Sequence, residues 1–164
     1  MVECPGCGLK LPDQKLDTNA RYNASGECWQ VYGELTAYTL LQNHPGFIHQ
    51  LAVDAYGAQH SGGKTHNITT AYALVGLFLA VERHYTGRQV QRAHMILAKQ
   101  QVDWPRLDPP KSPGALTVQD VLSADPGDER DAMLTKWAQS VWLAWEDSHE
   151  WARIVCRERL SVGQ

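Results

Sequence analysis

The chain has 164 residues, enough for one domain with a full apolar core and too long to need a disulfide framework in order to fold. Fifteen basic and eighteen acidic residues leave a formal charge of −3 at pH 7 with no block of like charge, which excludes the electrostatic footprint of a nucleic-acid binder. The longest apolar run, residues 71–81, is about half of the ~20 residues a membrane span needs, and Met1-Val2-Glu3-Cys4 has neither part of an export signal, so no membrane partner and a cytoplasmic location are expected. In that reducing setting Cys4, Cys7, Cys28 and Cys156 are expected as ligands or free thiols rather than as two disulfides.

The run Cys4-Pro5-Gly6-Cys7-Gly8 comes first along the chain. Two thiolates at this spacing can both turn inward at about 2.3 Å from one zinc ion, and the glycines allow the tight turn while freeing backbone N–H groups to approach the sulfurs. A thioredoxin-like redox centre would need a strand ahead of the motif and a helix behind it, but only Met1, Val2 and Glu3 precede Cys4. A zinc knuckle is therefore favoured, and residues 1–24 read as a polar, metal-pinned arm.

Ser25 ahead of Glu27-Cys28-Trp29 opens a first helix that runs to about residue 42, with Trp29, Tyr32, Leu35 and Thr39 on one face. Asn43-His44-Pro45-Gly46 breaks it. A second helix is predicted over about 47–60, where Ala52 and Ala55 permit close packing, and Ser61-Gly62-Gly63 ends it. Asn67 caps a third, apolar nearly all round and hence central, predicted to reach about Tyr85 before Thr86-Gly87. A fourth covers about 89–101. The prolines of Trp104-Pro105-Arg106-Leu107-Asp108-Pro109-Pro110 then forbid a helix and favour a fixed loop or lid. Thr117 caps a short helical turn over 118–124, and after Asp125-Pro126-Gly127 one long last helix is predicted over about 129–159. Short connections imply antiparallel neighbours. The expected fold is all-α: an antiparallel bundle of about five helices with an N-terminal zinc-knuckle arm, forming a single domain over residues 1–164. Within it lie the arm (1–24), a four-helix core (25–101), a proline-rich loop with a short helix (102–127) and a long C-terminal helix (128–160).

A tetrahedral zinc needs two ligands beyond Cys4 and Cys7. Cys28 lies in the first turn of a helix, where the positive end of the macrodipole favours a thiolate. If the first two helices run antiparallel, the end of the second brings His60 beside Cys28. The expected metal set is Cys4, Cys7, Cys28 and His60, with His66 and His149 as substitutes for the last. His49 and His60 share a helix face yet lie about 16 Å apart along it, too far to share one ion. Asp54, between them, is expected as a solvated or salt-bridged acid; if it has a role, its partner comes from another helix, an arginine such as Arg83 or Arg153. Ser61-Gly62-Gly63-Lys64-Thr65 imitates the end of a phosphate loop, but Ala58 stands where its first glycine belongs, so nucleotide binding is discarded. Trp142, Trp145 and His149 line one side of the last helix, as a tryptophan-rich core with a hydrogen-bonded histidine would.

Taken together, Cys4-Pro5-Gly6-Cys7-Gly8, Cys28-Trp29, the stretch from His49-Gln50-Leu51-Ala52-Val53-Asp54-Ala55-Tyr56 to Gln59-His60, and the late Ser140-Val141-Trp142-Leu143-Ala144-Trp145 to His149 resemble a family of small bacterial proteins of unknown function. The resemblance implies a cytoplasmic bacterial protein and supplies no activity. In that family the late helix often carries two adjacent histidines, where this chain has Ser148-His149.

The leading expectation is a zinc-stabilised helical protein that acts by binding, its metal structural. The rival is a metal-dependent hydrolase in which His60, His66 or His149 and Asp54 surround a centre roofed by the proline-rich loop. A thiol-based redox or metal sensor using Cys4, Cys7 and Cys28 is a third. The partner is open, a homodimer included.

Overall fold

The structure, a computed structural model, describes residues 1–163. The polar arm begins with two short strands, β1 (Val2–Glu3) and β2 (Lys10–Leu11), paired antiparallel with Val2 opposite Leu11 and Glu3 opposite Lys10. Strands of two residues are too short to show an alternating pattern, which is why the sequence reads as irregular here. The remainder of the arm is tied down by Glu27, whose inward-turned carboxylate accepts the backbone N–H groups of Gln14 at 3.0 Å and Leu16 at 3.3 Å.

Helix α1 (Gly26–Leu41) starts where Ser25 Oγ accepts the Cys28 N–H at 3.1 Å, an N-cap that satisfies one of the first-turn donors. Helix α2 (His49–Gln59) packs beside it in the opposite direction: Cys28 meets His60 at one end of the pair, and Thr39 meets His49 at the other. Helix α3 (Asn67–Leu77) is central, with Ala71, Leu74, Val75 and Leu77 buried. It approaches α2 closely because small residues sit at the contact, Gly57 against Ala73 and Gly76 against Asp54. Beyond Leu77 it loosens into a π-helical turn, Phe78–Glu82, instead of continuing as an α-helix to Tyr85. Helix α4 (Gly87–Ala98) opens on a reciprocal cap between Thr86 and Gln89.

The proline-rich segment is irregular and buries Trp104. Helix α5 (Val118–Ser123) is followed by α6 (Asp128–Ala144), a 3-10 turn (Glu146–Ser148) and α7 (His149–Leu160). The described residues thus contain seven α-helices rather than about five, and the single long C-terminal helix is in fact two. A straight helix of that length would run about 45 Å and overshoot a domain of this size. At the break Trp145 is drawn into the core, its indole N–H donating to the Ala58 carbonyl at 3.2 Å. The chain turns there, and α7 lays Ala152, Val155 and Cys156 against α3 and α4. Trp137, fully buried on α6, donates to Gln59 Oε1 at 3.0 Å and so fixes the last turn of α2.

Candidate metal centre

The hairpin between β1 and β2 is a knuckle turn. Cys4 donates its backbone N–H to Leu9 O at 2.8 Å, Gly8 donates to Cys4 O at 2.9 Å, and Gly8 holds a φ of +76°, a conformation that glycine adopts without strain. The turn points Cys4 and Cys7 toward the start of α1 and the end of α2. Gly6 lies so close to that end that a Cβ there would sit 2.5 Å from Asn23 O and 2.7 Å from His60 Cδ2. The extended segment ahead of α1 joins in, Asn23 donating to His60 O at 2.8 Å.

Four donors converge: Cys4 Sγ, Cys7 Sγ, Cys28 Sγ and a ring nitrogen of His60 all lie within 4.8 Å of one another. Cys7 and Cys28 are 3.8 Å apart, and Cys28 Sγ is 3.4 Å from His60 Nε2. A tetrahedral zinc with sulfurs at ~2.3 Å and nitrogen at ~2.0 Å spaces its ligand atoms about 3.6–3.8 Å apart, so these donors suit a metal of that size and softness. All are buried, with exposures of 1, 6, 0 and 0 % for Cys4, Cys7, Cys28 and His60.

The surroundings orient the donors. His60 Nδ1 lies 2.8 Å from Tyr56 O, which can only accept, so Nδ1 carries the hydrogen and the Nε2 lone pair faces the sulfurs. The Tyr56 ring stacks on the imidazole at 3.8 Å, is itself stacked by Tyr32 at 4.0 Å, and donates its hydroxyl to Cys28 Sγ at 3.5 Å. Hydrogen bonds from the Cys28 and Cys7 thiols hold Cys4 well below the usual thiol range, while the Cys4 and Cys7 sulfurs push Cys28 well above it. Three sulfurs crowded this closely resist carrying three negative charges alone, and a divalent cation among them removes the conflict.

The remaining histidines lie elsewhere. His49 shares a hydrogen bond of 2.9 Å with Thr39 at the far end of the α1–α2 pair, and His66 precedes α3. His149 stacks on Trp142 at 3.9 Å and donates Nε2–H to the Trp142 carbonyl at 2.7 Å. Asp54 departs from its expected setting. It is 3 % exposed and pairs with no arginine; Gln50 Nε2 donates to its Oδ1 at 3.2 Å, while Arg153 binds Glu82 at 2.9 Å. Burial pushes its carboxyl well above the usual carboxylate range. Sequence reasoning also passed over Tyr56 and Gly76. The signal for Tyr56 was its place four residues before His60, one helical turn away; that for Gly76 was a glycine inside an otherwise apolar helix.

The fold and the centre together define a mostly helical protein with a buried three-cysteine, one-histidine cluster able to hold a metal ion. The chain belongs to a family of unknown function (DUF5946), whose model matches residues 2–146 and so includes all four donors. No curated protein and no solved structure matches it.

Proposed function

We propose that the chain holds one zinc ion through Cys4, Cys7, Cys28 and His60, that this ion is structural, and that the protein acts by binding from a scaffold the ion completes. The observation that carries the reading is the closure of the centre: four soft or borderline donors meet in the buried core, with the second ring nitrogen of His60 already given to Tyr56. A catalytic zinc keeps a position for water, and a fourth protein ligand occupies it. The hydrolase alternative loses its auxiliary groups, because Asp54 and His149 stand outside the donor cluster. Four free cysteines suit the reducing bacterial cytoplasm as the setting.

The test is elemental analysis of purified protein followed by zinc retention against a competing chelator. The parent should carry about one zinc per chain, His60→Ala and Cys28→Ser should release it readily, and His49→Ala should keep it. Retention in His60→Ala equal to the parent's would remove His60 from the ligand set. A protein without metal but with full helix content and an unchanged melting temperature would defeat the reading altogether.

A further inference from the structure

Roughly two turns before His60, α2 buries an acidic group of a different character. Asp54 lines a cavity of about 320 Å³, within the size range of small-molecule sites, that also takes in Tyr22, Gln50, Tyr72, His94 and Arg21. Asp54 Oδ1 is engaged by Gln50, but Oδ2 receives no hydrogen bond from the described residues although Asp54 is only 3 % exposed. Across the helix pair the backbone is bared to admit this oxygen: a Cβ on Gly76 would collide with it. Every fully inaccessible side-chain nitrogen or oxygen among the described residues has a partner, so Oδ2 keeps an opening to solvent, through which a ligand's donor can reach it.

The rest of the cavity narrows what that is. Tyr22 and Tyr72 both line it and supply apolar wall, with the Tyr72 ring stacked on His94 at 5.0 Å. His94 gives Nε2–H to Tyr72 O at 2.9 Å, which leaves Nδ1 as an acceptor, and burial lowers its pKa so that the ring stays neutral. Arg21 carries the opposite demand. It is exposed, lies 5.5 Å from the centre of the Tyr22 ring, and makes no ion pair among the described residues. A bare cation would meet repulsion there, and an anionic group would be held. A second cavity of about 290 Å³ also borders Asp54, but it offers His84 in place of a guanidinium.

We propose that the Asp54 cavity binds a small apolar α-amino acid, its ammonium on Asp54 and its carboxylate on Arg21. The ligand's ammonium donates to Asp54 Oδ2 and a neighbouring acceptor and draws the Asp54 carboxyl into its ionised form, its side chain fills the apolar wall, and its carboxylate answers the unpaired charge of Arg21.

The experiment is isothermal titration of the zinc-loaded chain with L-leucine and L-phenylalanine, with their decarboxylated amines, and with the corresponding acids that lack the amine. One of the amino acids should saturate at one site per chain, its amine should bind about tenfold more weakly, and its deaminated acid should not saturate. Asp54→Asn, which preserves shape and the Gln50 contact, should lower amino-acid affinity at least about tenfold, and Arg21→Ala should bring the amino acid down to the level of its amine. Arg21 is exposed, so that variant tests the site even if Asp54→Asn folds poorly. Circular dichroism and zinc content, read on the same samples, separate a failure here from a failure of the metal centre. The proposal is overturned if neither amino acid saturates up to about 10 mM, if the deaminated acid binds as tightly as the amino acid, or if both variants bind like the parent.

Discussion

Among the buried polar side chains of α2 and its C-cap, Asp54 and His60 lie about 9 Å apart along the helix axis and are supported in opposite ways. His60 has one nitrogen on a backbone carbonyl and the other on a cluster of sulfurs, with an aromatic ring stacked over it. Asp54, nearly as inaccessible, has one amide donor and a free oxygen on a cavity. Burial is the same at both, but the count of partners differs. Where the count is complete the group is satisfied within the fold; where it is short a hydrogen-bonding position is left open.

The largest effect should come from dismantling the complete end. Chelating the metal, or replacing Cys28 with Ser, should lower stability by about 4 kcal/mol at a free-zinc level a thousandfold above Kd, and should expose residues 1–24 to protease. Denaturant titration with and without chelator measures the first, and timed proteolysis the second. A chain whose arm stays protected without metal would show that Glu27 and the hairpin, rather than the ion, anchor it. Next in size, Leu77→Ala should cost about 3 kcal/mol, because the side chain is fully buried on the central helix and its loss leaves a cavity. Zinc content should not change, which separates core packing from the centre.

The Asp54 region should yield smaller numbers with a distinctive coupling. Gly76→Ala should cost about 1–3 kcal/mol through its clash with Asp54 Oδ2, against the roughly 1 kcal/mol that alanine normally adds to a helix interior. Pairing it with Asp54→Ala should recover much of that cost, a non-additivity that a double-mutant cycle reads directly. Smaller still, His149→Ala should lose about 1 kcal/mol with the hydrogen bond to Trp142 O and leave zinc untouched. Reduced zinc in that variant would reopen its part in the centre.

The smallest effect at low pH, and the most informative trend, belongs to Asp54→Asn. The Asp54 carboxyl is raised in the folded chain, so the native state binds a proton that the unfolded state releases near pH 4. Parent stability therefore falls as pH climbs above about 4 and levels off beyond the folded value. The substituted amide cannot ionise. The stability difference should be near zero around pH 4 and should grow in favour of the variant toward neutrality, as midpoints of denaturation over that range would show. A flat difference would mean that Asp54 is ionised in the folded state and already has a donor for Oδ2.

Much of the Cys/His donor cluster was legible because its parts are local or follow from helix length. Cys4-Pro5-Gly6-Cys7-Gly8 specifies its own turn, Ser25 and Cys28 specify a capped helix start, and two helices joined by a short breaker set Cys28 and His60 at the same end of a pair. The helical character of the chain follows in the same way from apolar spacing and breakers. Other features had no local signature. The break after Ala144 arises because Trp145 finds the Ala58 carbonyl across the core, a contact 87 positions away in sequence that no periodicity within the helix announces. Asp54 reads as an ordinary acid on a helix, and only the approach of Gly76 from α3 encloses it. Which residues turn, cap and form helices was decided along the chain, by steric and hydrogen-bonding preferences acting over a few residues. Which polar atoms would be left without a partner was decided only by the packing of one helix on another, since burial and the number of available partners depend on groups far apart in sequence.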